Sequence, residues 1–327
     1  LTRFGILGCG SHGTRYLAHL AGGDVPGAQA VGLWRRDARA AADLAGRYGV
    51  RALEGWEALI ADPEVDALVV ATPPGLHPEA ILAAALAGKP VLAEKPLAAS
   101  LVQALELAAA LPTDARVMVA QTLRWSPVLV ETRARLAELG EIHRLRLAQR
   151  LEPNALPWQR DRRLAGGGAL TLTGVHGFDL VRWLLGATPA LVSARALPLL
   201  DHPFESLFEA RFEYRDPPLL ASCEVSKHSA SRSALLELVG TRGQLWADYQ
   251  AGRLELLQGR DRRIVAEPGD RPTIPPTLSA FCRWVELGGQ CPVPIEDGIE
   301  TLRMADACCR SSALGGAPVA VAEPPAG

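Results

Sequence analysis

From Thr2 to about Gln121, apolar runs just long enough for a buried strand alternate with amphipathic stretches. The runs are Phe4–Leu7, Ala30–Trp34, Ala67–Ala71, Val91–Ala93 and Val117–Ala120. Unbroken hydrophobicity over so short a span predicts strands covered on both faces. Between them Thr14–Ala21, Ala38–Tyr48, Trp56–Ala61, Pro78–Ala87 and Leu101–Leu111 have helical composition. Gly49 and Gly88 sit just past two of these helices, where a left-handed cap favours glycine. Pro78 sits in a first turn, where a missing N–H is harmless. Strands alternating with helices predict a parallel sheet with helices on both faces.

After Gln121 the rhythm changes. Leu145–Arg150, Leu191–Ala196, Glu205–Tyr214, Leu220–Val225, Ala234–Val239, Gln244–Ala247 and Arg253–Leu257 read as strands. Within Glu205–Tyr214, Phe208, Ala210, Phe212 and Tyr214 alternate with Leu207, Glu209, Arg211 and Glu213, the pattern of a sheet with one covered face. His176–Leu185, ahead of Gly186, is an amphipathic helix, and Pro275–Leu287 and Glu296–Leu314 are two more. The expected fold is α/β: an N-terminal Rossmann domain with a parallel sheet over residues 1–121. An α+β domain with a large, mainly antiparallel, open-faced sheet follows over residues 122–327. The open face, taken to be rich in apolar side chains, is expected to pair copies of the chain. The tail from Glu323 is expected to fray.

Composition narrows the classes. The chain has 327 residues, 48% hydrophobic and 21% charged, enough for two well-packed cores. A formal net charge of −2 supplies no electrostatic drive toward nucleic acid or an anionic membrane. No apolar run reaches a bilayer span, and the expectation is a cytoplasmic protein. The six cysteines fit neither a zinc site nor a redox pair, and no metal is expected. Adjacent Cys308 and Cys309 are expected in or near the core.

Two strings carry the chemistry. GCGSHG (Gly8, Cys9, Gly10, Ser11, His12, Gly13) stands between the first strand and the first helix. That is the context a dinucleotide-binding turn requires: Gly8 for the turn, Gly10 for approach of the pyrophosphate, Gly13 for helix–strand packing. The second strand ends in Trp34-Arg35-Arg36-Asp37, with Arg35 where an NAD site usually holds an acid. A guanidinium there suits a 2′-phosphate, with Arg36 beside it, so NADP(H) is favoured over NAD(H), and Trp34 or Arg35 is placed to stack on the adenine. Asp37 either reaches a ribose hydroxyl or caps the next helix. The second string, GKPVLAEKPL (Gly88–Leu97), brings Glu94 and Lys95 to a strand's carboxyl end, where open parallel sheets bind ligands. An amine there can hydrogen-bond a substrate oxygen. Farther on, GGGALTLTGVHGFD (Gly166–Asp179) places His176, a proton carrier near neutrality, at a helix start after a glycine loop. Asp179, one turn later, either orients that ring or is a surface or interdomain charge.

Together with VVATPPGLH (Val69–His77), these strings resemble the Gfo/Idh/MocA oxidoreductases over essentially the whole chain. The resemblance implies that Thr72, Pro73 and His77 line the cofactor and that Glu94 and Lys95 approach the nicotinamide ribose. It implies that Lys95 and His176 meet at the reacting carbon–oxygen bond, with Gln121, Arg124 and Trp158 near the pocket. It also implies dimers or tetramers through the second domain's sheet. Two positions depart from the family pattern. Leu172 stands where polyol dehydrogenases of the family carry an aspartate, and Gln159 where an arginine often follows the pocket tryptophan. Leucine accepts no sugar hydroxyl.

The function expected is an NAD(P)-dependent dehydrogenase or reductase of a small sugar-like or other hydroxy or keto compound, with Lys95 and His176 catalytic. The alternatives are a redox-neutral hydrolase or epimerase that retains its cofactor, and a non-catalytic nicotinamide-binding regulator.

Overall fold

The computed structural model describes residues 1–153, 156–199 and 202–322. The chain divides into two compact units, one of residues 1–122 and 273–299, the other of residues 123–272 and 300–327. The tail expected to fray lies outside the described residues.

In the first unit the elements run β1 (Thr2–Leu7), α1 (Ser11–Ala21), β2 (Ala28–Trp34), α2 (Ala38–Tyr48), β3 (Arg51–Ala52), α3 (Trp56–Ala61), β4 (Ala67–Val70), α4 (His77–Leu86), β5 (Val91–Glu94), α5 (Leu101–Ala110) and β6 (Val117–Ala120). The strands form one sheet in the order β3-β2-β1-β4-β5-β6, every pair parallel. Chain order reverses between β1 and β4, and such a switch point opens a crevice at the strands' carboxyl ends. Asp37 accepts from the Ala40 N–H at 3.0 Å and so caps α2. Gly49 closes that helix in the left-handed conformation, φ +67°.

The second unit begins with α6 (Pro127–Ala134), β7 (Ile142–Arg150), α7 (Arg162–Ala165) and α8 (Val175–Leu185). Strands β8 (Leu191–Leu197), β9 (Leu207–Arg215), β10 (Pro218–Ser226), β11 (Ser233–Gly240), β12 (Gly243–Asp248), β13 (Arg253–Gln258) and β14 (Asp261–Ala266) follow. The chain continues through α9 (Ile274–Leu287), α10 (Ile295–Ala313) and β15 (Val319–Ala320). The sheet order is β14-β13-β12-β11-β7-β10-β9-β8-β15, antiparallel except where β7 lies parallel to β10. Its covered face joins Leu145, Leu147, Phe208, Phe212, Cys223 and Leu236 in one core with Phe178 of α8.

Three features differ from the sequence expectation. Residues 273–299 group with the first unit rather than with 122–272. The reason is packing: Phe281 of α9 lies 5.8 Å from Phe4 of β1, ring to ring, and the Val119 N–H donates to the Val293 carbonyl. The sheet's outer face is mixed rather than apolar. Exposed Leu220, Leu235, Trp246 and Ile264 are interleaved with charges, and Glu224 pairs with Arg150 at 2.7 Å and Arg146 at 3.5 Å. Cys308 is buried, but Cys309 is exposed. No helix among the described residues is long and apolar enough to cross a membrane.

Replacing fully buried Phe281 with alanine should destabilise the first unit by about 3–5 kcal/mol. Chemical denaturation followed by tryptophan fluorescence would show it, and an unchanged midpoint would refute this packing role.

Candidate active site

At the carboxyl end of β1 the backbone folds on itself so tightly that side chains are excluded. Gly8 has φ +92°, and a Cβ there would lie 2.6 Å from the Thr72 nitrogen. A Cβ on Gly13 would collide with the Gly8 carbonyl oxygen, whereas one on Gly10 would meet open space. Gly8 thus makes the turn, Gly13 brings α1 against it, and Gly10 leaves an unobstructed approach to the first amides of α1. Ser11 and His12 are exposed in its first turn. Such a helix start, with its unpaired N–H groups and dipole, suits a pyrophosphate. Cys9 is fully buried, and burial pushes its thiol up to about 12, so it serves as packing.

The loops after β4 and β5 are tied together by His77. Its Nδ1 lies 2.9 Å from the Pro96 carbonyl and its Nε2 2.7 Å from the Thr72 carbonyl. Burial lowers the affinity of this imidazole for a proton, although both carbonyls favour the charged form. Beside it, Tyr16 of α1 donates to Glu94 Oε1 at 2.7 Å, and the Lys95 N–H donates to Oε2 at 3.1 Å. Burial and the neighbouring carboxylate push the Tyr16 phenol well up, so it remains a donor. Lys95, half-buried, follows β5 directly. Two polar groups on this edge make no hydrogen bond within the described chain: Thr72 Oγ1, and the amide of Gln121 just past β6, which is 1% exposed. Orphaned buried polar atoms call for a partner, and a nicotinamide nucleotide bears matching hydroxyl and amide groups.

An open, mostly apolar cleft lined by Leu7, Trp34, Trp56, Thr72, Leu76, Glu79 and Ala80 adjoins these loops. It is apolar enough to take an aromatic base. Trp34 was expected here; Trp56, Leu76 and Glu79 were not, because nothing in the sequence shows that α3 and α4 both reach this edge. Arg35 is half-buried and donates to the Cys9 carbonyl at 3.1 Å, while Arg36 is exposed. Pro73 opens the turn that leads into α4.

In the second unit α8 is preceded by a π-turn over Leu170–Gly174, a backbone form frequent at functional sites. Glu205, part of an expected strand, instead holds this segment from outside. Its Oε1 accepts from the N–H groups of Gly168 at 2.9 Å and Leu170 at 3.1 Å, and its carbonyl accepts from Ala169 at 2.7 Å. A Cβ on Gly168 would collide with that carbonyl oxygen. The glycine loop is therefore pinned. Leu172, Thr171 and Thr173 are buried, and His176 is half-buried in the first turn of α8. Asp179 is 1% exposed, so it is no surface charge; Arg124 grips both of its oxygens, at 2.9 and 2.6 Å. Trp158 is half-buried in a short 3-10 turn beside buried Gln159. Among the described residues no three His, Cys, Asp or Glu side chains converge as metal ligands do.

Comparison with known proteins matches this architecture twice. An oxidoreductase family model with an NAD-binding Rossmann fold, GFO_IDH_MocA, covers residues 2–121. A GFO/IDH/MocA C-terminal domain model covers residues 131–246. The chain belongs to the Gfo/Idh/MocA oxidoreductase family. As a member it is an NAD(P)-dependent dehydrogenase or reductase. It is similar to inositol 2-dehydrogenase 2 of Saccharopolyspora erythraea, 31% identical over 98% of this chain and 96% of the relative. It is also similar to D-xylose 1-dehydrogenase (NADP(+)) 2 of Haloferax volcanii, 32% identical over 96% of this chain and 98% of the relative. Levoglucosan dehydrogenase in complex with NADH and levoglucosan shares the fold, with a TM-score of 0.87 at 22% identity, covering 98% of this chain and 100% of that one.

Breaking the buried Arg124–Asp179 pair, whether with Asp179→Leu or with Arg124→Met, should destabilise the second unit by about 3–5 kcal/mol, since each change removes one partner of a buried ion pair. The double change Arg124→Met with Asp179→Leu should recover much of that loss. A double-mutant cycle of unfolding free energies measures both, and additive losses would refute the coupling.

Proposed function

We propose that this family member interconverts a secondary alcohol and a carbonyl on a neutral sugar or polyol, with NADP(H) as its preferred cofactor. The observation that carries the reading is the glycine turn at the switch point of the parallel sheet, with an amine-bearing strand end on the same edge. A bound nicotinamide supplies the two-electron donor or acceptor. Gly8, Gly10, Ser11, His12 and Gly13 hold its phosphates, and Trp34 and Trp56 enclose its base. Thr72, Pro73, His77, Glu94 and Gln121 hold the ribose and amide of the nicotinamide end. Lys95 donates a hydrogen bond to the substrate oxygen and offsets negative charge developing there. His176 takes the hydroxyl proton on oxidation and returns it on reduction. Arg124, Trp158, Leu172 and Asp179 shape the substrate's surroundings, with Asp179 acting through Arg124.

The NADP(H) preference rests on β2. Its end presents Arg35 and Arg36, while Asp37, the alternative partner for a ribose hydroxyl, caps α2. The Haloferax relative's name, which includes NADP(+), fits this choice. The mixed outer face of the second unit's sheet pairs copies into a homodimer or homotetramer.

Absorbance assays over a panel of polyols and sugars should show cofactor-dependent turnover. Lys95→Ala and His176→Ala should each lower kcat at least about 100-fold; near-normal rates in both would overturn these roles. In fluorescence titrations NADPH should bind at least about tenfold more tightly than NADH, and Arg35→Asp should reverse the order. Tighter NADH binding by the unaltered protein would refute the preference.

A further inference from the structure

We infer that the Glu79 carboxylate selects adenine as the base of the bound dinucleotide, by accepting a hydrogen bond from its 6-amino group. This rests on the reading above that Trp34 and Trp56 enclose that base, and it names the group that tells one base from another.

The cleft beside the glycine turn supplies the setting. Thr72 marks its phosphate end, since a Cβ on Gly8 would lie 2.6 Å from the Thr72 nitrogen. Trp34 closes β2 and Trp56 opens α3, and both are half-buried in the cleft wall. Exposed Leu76 stands immediately before α4. Two indoles and a leucine make an apolar slot for a flat ring. Contact with a ring face is blind to the identity of the base, because every base has such a face. Discrimination falls to the polar side chains of the cleft, and these are Thr72 and Glu79. With Thr72 beside the glycine turn, Glu79 is the one left for the base.

Glu79 is placed and free to act. It lies in the first turn of α4, lines the cleft and is exposed, so it stands at the lip. Its carboxylate makes no hydrogen bond and no ion pair among the described residues. A carboxylate only accepts. The ring nitrogens of adenine also accept, and the 6-amino group is its one donor, so that group is the only part of the base the carboxylate can bind. Hypoxanthine carries a carbonyl at the same position and sets an acceptor against an acceptor. An acid in a first helical turn also complements the helix dipole. That role is indifferent to the base, which makes the two separable.

The test is fluorescence titration with NADPH and with its analogue in which hypoxanthine replaces adenine, repeated with the non-phosphorylated pair. In each pair the adenine cofactor should bind about tenfold more tightly to the unaltered protein. Glu79→Ala should bring that ratio to within about twofold by weakening the adenine cofactor. Glu79→Gln should lower the ratio by the opposite route, because an amide can turn an N–H toward the hypoxanthine carbonyl and strengthen the analogue. A ratio near one in the unaltered protein, or one that neither variant moves, would overturn the inference while the cofactor reading stands. Equal weakening of both members of a pair by Glu79→Ala would place the carboxylate on helix or ribose and overturn it too. If NADH binds more tightly than NADPH and the base ratio behaves as expected, the NADP(H) preference fails and this inference holds. If none of the four dinucleotides binds, both fall together.

Discussion

The first unit depends on a contact between pieces of bare backbone. Gly8, Gly13 and the Thr72 amide approach so closely that no Cβ fits at either glycine. That approach sets the start of α1 at the crevice where the sheet order reverses, with its amides open past Gly10. His77 then ties the Thr72 loop to the turn bearing Lys95, and Tyr16 reaches from α1 to Glu94. The side chains of this edge are positioned by one connected set of backbone constraints rather than by separate loops.

The second unit solves a similar problem with a carboxylate and two more glycines. Glu205 takes three successive N–H groups at residues 168–170, so the chain enters the π-turn on a fixed path. Gly174 and Gly177 then let α8 lie directly on Phe208, Cys223 and Leu147. A larger residue at either position would lift His176 away from the sheet. Asp179 adds a third anchor, because its pairing with Arg124 couples α8 to the short turn ahead of α6.

Much of this was legible in the sequence. Continuous apolar runs marked β1, β2, β4, β5 and β6, and the glycine and aspartate positions marked their turns and caps. Among the missed elements, β3 and β15 are two residues each, β14, with sequence DRRIVA, is a mostly exposed edge strand, and the short helices α6 and α7 went unmarked. The sheet's outer face was misjudged because alternation shows which residues turn outward but not how charges from neighbouring strands interleave there.

Local pattern alone determined the strand–helix rhythm, the glycine turn and the helix caps, since each depends on residues a few positions apart. Only the tertiary structure decided the partners of groups distant in sequence: Asp179 with Arg124, Glu205 with the 168–170 amides, and α9 against β1. Hydrogen bonds and packing act through space, and chain spacing does not record which remote segments the fold brings within reach.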